Sequence, residues 1–507
     1  METSPVRKAR GNPLVEQAIT GEARQESLAG EVVWNVGVRL LGFAASKCML
    51  LVMTAVVARY LGTENFGKYS FVLTYLVFFQ ILTDPGVSAL LLQKLCDTAK
   101  LERARLLGST LLLRFALSCL AVGASVGLLL ILGYPADIQK AALIGSLGFL
   151  VGRSDVYTVV FQAHLKQQYI AYTELLEQLV ATGLIVLVVI FDLGFLAVFV
   201  ATAAGSGARF FVSWLLSGKF TKTEFRVDLT GWRDLLRSGL PIAVGAVFGT
   251  VVANLDLLTV QKMMGNDAAG YYGAAKRLIS PWGLIPGTYV SVVYPILYKL
   301  FVSGDRDRFA LAYEKSFRYM LMVIVPVATG VSLTAKSIMR IIYGEQFLES
   351  SMILAIIVWS QVFLFVKLVN DYLLITIGKQ RASARVAGMS ALTNILLNIV
   401  LCHKYGAEGA AISCVTSYSL FLPLQCTFSE GREYSLAILR QAVKPAVAAS
   451  AMALFVAFVL RFQLLASLVA GPLIYAGVLV AVGGVGTSDL LALSKVILGR
   501  SGSEIRG

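Results

Sequence analysis

Arg39, Lys47, Arg209, Lys276, Arg277 and Lys367 stand inside stretches of sequence that are otherwise apolar, and so do the carboxylates Asp84 and Asp256. Guanidinium and ammonium groups offer N–H donors to anionic oxygens and break no bond, so this set points to binding of a negatively charged group rather than to catalysis. The two acids fit either a proton- or Na⁺-linked switch or charge partnership with the cations. A charge at the centre of a membrane helix costs about 2.5 to 3.5 kcal/mol, so several of them must face water or one another. Arg209, near the middle of its run, is the foremost candidate for a cation lining a cavity. For Arg39, one turn into its run, and for Lys276 and Arg277, near the end of theirs, snorkelling to the interface is the alternative. Lys367 has Asp371 four residues on, the spacing of an intrahelical ion pair, whereas Arg153 and Asp155, two apart, need partners on other helices.

The elements that carry these residues must be membrane helices. A chain of 507 residues with 57% hydrophobic and 15% charged residues has too little polar surface to clothe soluble domains. Fourteen apolar runs near 20 residues follow one another from 36–58 to 464–483, each long enough to cross about 30 Å of hydrocarbon. They lack the alternation of a β-barrel, so the fold class is all-α and polytopic. Asn35, Arg39, Gly42 and Ser46 share one side of the first helix, the polar stripe that a wet lumen requires.

The net charge of +14 lies mostly in the loops after even-numbered runs, as in Lys94, Lys100, Arg103 and Arg105, or Lys219, Lys222, Arg226, Arg233 and Arg237. The opposite loops are sparse in cations, with Lys140 and Lys262 as examples. The positive-inside rule then puts both termini in the cytoplasm and accounts for the basic charge without nucleic acid. No cleavable signal peptide is evident, because the first apolar run begins late and is full length. Six cysteines without a C-x-x-C pair, two histidines and no P-loop pattern leave no expectation of a metal, a cofactor or direct use of ATP.

A repeat organises the runs. "LGTENFGKY" at 61–69 and "MGNDAAGYY" at 264–272 share an apolar residue, Gly, four variable residues, Gly, one residue and Tyr, each in a short outer loop between an odd run and the next even one. Gly62 and Gly265 are placed to stop a helix in the left-handed conformation, and Gly67 and Gly270 to let the next helix start against a close neighbour. "DLGFLAV" at 192 and "KYGAEGA" at 404 form a weaker pair. Two six-helix bundles follow, in parallel repeat because six is even, with two extra C-terminal helices. The expected division is a tail (1–31), a first bundle (32–216), a basic linker (217–239), a second bundle (240–428), helices 13 and 14 (429–485) and a cytoplasmic tail (486–507). Prolines 281, 286, 295, 326 and 241 mark the helices suited to bend as the halves rock about a shared basic cavity.

"ARYLGTENFGKYSF", "ILTDPGVSALLLQKL" and above all "GKQRASARVAGMSALTNILLNIVLCHKYGAEGAAIS" resemble bacterial polysaccharide flippases of the multidrug/oligosaccharidyl-lipid/polysaccharide exporter superfamily, over essentially 32–483. The resemblance implies a flippase that carries a polyprenyl-pyrophosphate-linked sugar unit, for O-antigen or exopolysaccharide, from the inner to the outer leaflet of the bacterial inner membrane. Implied partners are that lipid-linked oligosaccharide, membrane lipids, H⁺ or Na⁺ as coupling ion, and glycosyltransferases with a polymerase. "RLLGFA" at 39–44 also looks like the first helix of lipid II flippases, which carries over Arg39 as a headgroup contact; the second basic residue of that pattern is absent, with Lys47 nearby. A pyrophosphate matches the cations in donor geometry, giving the headgroup set Arg39, Lys47, Arg209, Lys276, Arg277 and Lys367, with Asp84 and Asp256 as coupling or gating residues. No enzymatic step is expected. A multidrug extruder of the same superfamily calls for an acidic lumen and twelve spans, and a glycan polymerase or ligase calls for a larger outer loop than any here.

Overall fold

The computed structural model describes the backbone of residues 13–97, 100–151, 154–164, 166–221, 223–426, 429–459 and 464–484. Side chains are described within 42–424, 441–458 and 470–484, a few positions apart; the expected terminal tails lie largely outside these residues.

Helices account for nearly all of the described backbone, as the length and apolarity of the runs require. In chain order they are α1 (Pro13–Thr83), α2 (Val87–Asp97), α3 (Lys100–Ile131), α4 (Ala136–Val151), α5 (Ser154–Ala163), α6 (Gln167–Ile190), α7 (Phe195–Ser217) and α8 (Leu229–Met264). There follow α9 (Asn266–Ile279), α10 (Leu284–Val302), α11 (Arg306–Tyr343), α12 (Ser350–Ile357), α13 (Trp359–Thr376), α14 (Gln380–Ser419), α15 (Phe421–Cys426), α16 (Ser429–Val459) and α17 (Leu464–Ala481). No strand occurs among the described residues.

Eleven helical segments are long and apolar enough to span a membrane, with Ala470–Ala481 as a shorter apolar helix. The number differs from the fourteen runs for a physical reason. Two segments, Ala44–Thr83 and Ala382–Leu424, have 40 and 43 residues, about twice a membrane thickness at 1.5 Å per residue. Each contains one non-helical glycine near its middle, Gly62 (φ 69°) and Gly406 (φ 61°). Large apolar side chains such as Ile131, Leu454 and Phe458 are 84, 76 and 75% exposed on the helix surfaces, which places them against hydrocarbon.

The chain forms two compact units, one of Met1–Thr54 with Leu76–Ala243 and one of Ala55–Tyr75 with Val244–Gly507. In the first, Leu91 and Leu95 of α2, Leu107 and Leu111 of α3 and Val156, Val160 and Phe161 of α5 make one core. In the second, α11 packs against α13, α16 and α17 through Phe317, Ile324, Phe365, Ala448, Met452 and Tyr475.

The glycine repeat has the geometry its sequence demands. Gly62 and Gly265 both take positive φ, 69° and 89°, and the weaker pair Gly194 and Gly406 do the same at 80° and 61°. Within the second unit, a Cβ on Gly67 would fall on the carbonyl of Asn266, and one on Gly270 would fall on that of Thr63. The two copies therefore pack back to back. Thr63 Oγ1 donates to Asp267 Oδ1 at 2.5 Å across this seam, and Arg59 donates to the Ile341 and Ile342 carbonyls at the end of α11. Of the prolines, Pro281 falls in a 3₁₀ turn (Ser280–Gly283) that separates α9 from α10, while Pro241, Pro295 and Pro326 lie inside α8, α10 and α11.

Candidate functional site

The intramembrane charges sort into four clusters, two in each unit. In the first unit Arg114 of α3 is 3% exposed and sits between two carboxylates, Nη2 lying 3.7 Å from both Asp84 and Asp155. Its Nη1 donates to Ser88 Oγ at 3.1 Å and its Nε to the Thr83 carbonyl at 3.2 Å. Asp84 in turn accepts the Ser88 N–H at 3.0 Å, satisfying a donor at the start of α2 that Pro85 and Gly86 (φ 79°) leave without a helical partner. Asp155 finds its cation on another helix, as its spacing of two from Arg153 predicts; Arg153 lies outside the described residues. Arg114 is missed by the sequence reading, although an arginine in the middle of "STLLLRFALS" carries the same signal as Arg209.

Arg209 of α7 forms the second cluster. Nη1 lies 3.0 Å from Glu177 and Nη2 3.4 Å from Glu174, two carboxylates three residues apart and so on one face of α6. Ser206 Oγ, one turn before Arg209, donates to Glu177 at 2.7 Å. Two carboxylates meet one guanidinium, so Arg209 is an ion-pair centre and not an open cation. Glu174 and Glu177 are missed by the sequence reading, although carboxylates inside an apolar run carry the same signal as Asp84 and Asp256.

The third cluster, in the second unit, is built by the repeat itself. Asp256 of α8 is fully buried; Lys276 Nζ lies 2.5 Å from its Oδ1, and the Tyr272 hydroxyl donates to its Oδ2. Tyr272 is the closing tyrosine of the second copy. The closing tyrosine of the first, Tyr69, holds the neighbouring cation: the Arg277 guanidinium lies 4.9 Å from the Tyr69 ring centre and 5.7 Å from that of Phe66, and it hydrogen-bonds the Tyr69 hydroxyl. Among the described residues no carboxylate lies within ion-pair distance of Arg277, which is half-buried. At the matching positions of the first copy stand Met53, Leu73 and Thr74 in place of Asp256, Lys276 and Arg277, so the charge belongs to the second copy alone.

In the fourth cluster Lys367 Nζ pairs with Asp371 Oδ2 at 2.5 Å along α13, the intrahelical pair that the spacing predicts, and Ser383 of α14 donates to Asp371 Oδ1 at 2.8 Å. Lys47 is half-buried on α1, and the side chain of Arg39 lies outside the described residues. The expected residues thus divide: Lys276 pairs with Asp256, the neighbouring Arg277 lies on the rings of Phe66 and Tyr69, and Arg209, Lys367 and the expected gating residue Asp84 belong to separate ion pairs. An apolar hollow of about 360 Å³ lies in the second unit between α11, α16 and α17, lined by Trp282, Met322, Pro326, Gly330, Met452 and Tyr475.

Against known proteins, the chain aligns with the "Putative O-antigen transporter" of Shigella flexneri at 22% identity over 405 residues, 76% of this chain and 94% of that one. It aligns with the "Probable low-salt glycan biosynthesis flippase Agl15" of Haloferax volcanii at 20% identity over 209 residues, 41% of this chain and 44% of the relative. The chain therefore spans less than half the length of some curated relatives it matches, 42 and 44% in two cases. Among solved structures it shares its fold with the lipid II flippase MurJ in an inward closed conformation, with a TM-score of 0.71 and 16% identity over 87% of this chain and 97% of that one. Residues 56–352, more than half of the chain, match the polysaccharide biosynthesis protein family, and the chain belongs to it.

Proposed function

We propose that the chain is a flippase that carries a polyprenyl-pyrophosphate-linked oligosaccharide from the inner to the outer leaflet of the bacterial inner membrane, by alternating exposure of one cationic site to the two sides. The carrying observation is Arg277, the cation of the third cluster that is held by aromatic faces and not by a carboxylate. A cation–π contact holds a guanidinium at about 0.5–2 kcal/mol, and with one neutral hydroxyl beside it most of the N–H fork stays available, whereas an ion pair uses the fork up. An arriving pyrophosphate therefore competes with a weak partner at Arg277 and with strong ones at Arg209, Arg114 and Lys367. Lys276 adds a second cation one residue away, anchored by Asp256 and Tyr272. The hollow between α11, α16 and α17 has the apolar lining that a prenyl chain needs.

The similarity to an O-antigen transporter and a glycan flippase, and the fold shared with a lipid II flippase, support this reading. The work it describes is binding and carriage, with both termini cytoplasmic, a proton or Na⁺ gradient coupled through Asp256 or Asp84, and glycosyltransferases and a polymerase acting before and after. Replacing the gene with Arg277→Gln and extracting polyprenyl-linked sugars tests it. Build-up of the lipid-linked sugar on the inner leaflet, at wild-type protein level, is expected; export at the wild-type rate would end the proposal.

A further inference from the structure

Tyr343, the last residue of α11, is fully buried, and among the described residues its hydroxyl has no hydrogen-bond partner. Burying a hydroxyl unpaired is unfavourable, and one that persists at a charged site calls for a partner that reaches it in another state. The candidate partner is close. The Tyr343 ring lies 6.3 Å from Phe66, and Phe66 lies 5.8 Å from Tyr69 and 5.7 Å from the Arg277 guanidinium. Two tyrosine rings thus neighbour Phe66, over which the guanidinium also lies, along a track of three rings. Tyr69 is engaged by Arg277 and Tyr343 is not.

Resting on the flippase reading, we propose that Tyr343 is a positioning residue that receives the Arg277 guanidinium when it leaves Tyr69, so that the headgroup-binding arginine has one station in each of two states. The Phe66 face lets the guanidinium slide between stations without losing its cation–π contact. The Phe347 ring, 5.5 Å from both Phe66 and Tyr343, holds the far side of the track. In this state the Tyr343 ring contributes packing and its hydroxyl contributes nothing; in the other state the hydroxyl accepts the guanidinium N–H.

The two contributions separate in Tyr343→Phe. The full-length variant, reconstituted in vesicles with a polyprenyl-pyrophosphate disaccharide as probe, is compared with wild type for melting temperature, KM and turnover. Expected are an unchanged or higher melting temperature, KM within about twofold, and turnover lower by about tenfold, the loss of one hydrogen bond to a charged group. Ser390→Ala, which removes another buried hydroxyl without a partner among the described residues, is expected to leave turnover unchanged. Wild-type turnover in Tyr343→Phe overturns the proposal, and so does a loss of turnover accompanied by a lowered melting temperature, the signature of a purely structural tyrosine. If Arg277→Gln is inactive while Tyr343→Phe is fully active, only the hand-over fails; if Arg277→Gln is active, the carriage reading fails with it.

Discussion

Gly67 backs directly onto Gly270: a Cβ built on Gly67 would meet the Gly270 nitrogen at 2.9 Å, and one built on Gly270 would meet the Gly67 nitrogen at 3.3 Å. The two copies of the glycine motif, 203 residues apart in sequence, are thus each other's packing partner, and the absence of a side chain in either lets the other's backbone approach.

Gly67→Ala and Gly270→Ala are expected to destabilise the protein by about 3 kcal/mol each, since the clash is with backbone and not with the end of a flexible side chain. Because both relieve or strain the same seam, their effects fall short of additive in the double variant. Thermal unfolding of the purified protein in detergent checks both statements.

Removing one partner of the pair formed by Asp256 and Lys276 leaves an uncompensated charge in a buried place, so Lys276→Met and Asp256→Asn are expected to cost about 3–5 kcal/mol each. Combined, they leave no such charge, and the double variant is expected to recover most of that loss. A double-mutant cycle on melting curves measures the coupling; simple additivity would show that the pair does not interact in the folded protein.

Arg114→Met is expected to cost less, about 1–3 kcal/mol, because Asp84 and Asp155, 27 and 47% exposed, then face each other without a cation but with solvent screening. Adding Asp155→Asn lowers the repulsion, and expression level and melting temperature are expected to rise relative to Arg114→Met alone.

The exposed start of α8 supplies a pH test. Asp228 accepts the Gly231 N–H at 2.9 Å and the Thr230 hydroxyl at 2.7 Å, and these bonds hold its carboxyl below the usual carboxylate range. A depressed folded-state value means a contribution that is present above the unfolded value of about 3.9 and is lost as pH falls through the folded one. Amide exchange in the first turn of α8 is therefore expected to accelerate below about pH 4, and Asp228→Asn, which keeps the acceptor but does not titrate, is expected to flatten that dependence.

Much was legible from residue types and spacing alone: the membrane helices, the non-helical glycines and the ion pair of Lys367 with Asp371. These are local properties, because hydropathy acts per helix, positive φ per residue and an i, i+4 pair within one turn. What tertiary structure alone decided is the state of each charge. Position in the run ranks Arg209 above Arg277 as an open cation, yet Arg209 meets Glu174 and Glu177 while Arg277 lies on the rings of Phe66 and Tyr69. A hydrogen-bonded ion pair forms only when donor and acceptor come within about 4 Å, so whether an arginine is spent on a carboxylate or kept for a ligand depends on which helices pack beside it, and that is a property of the fold and not of the run.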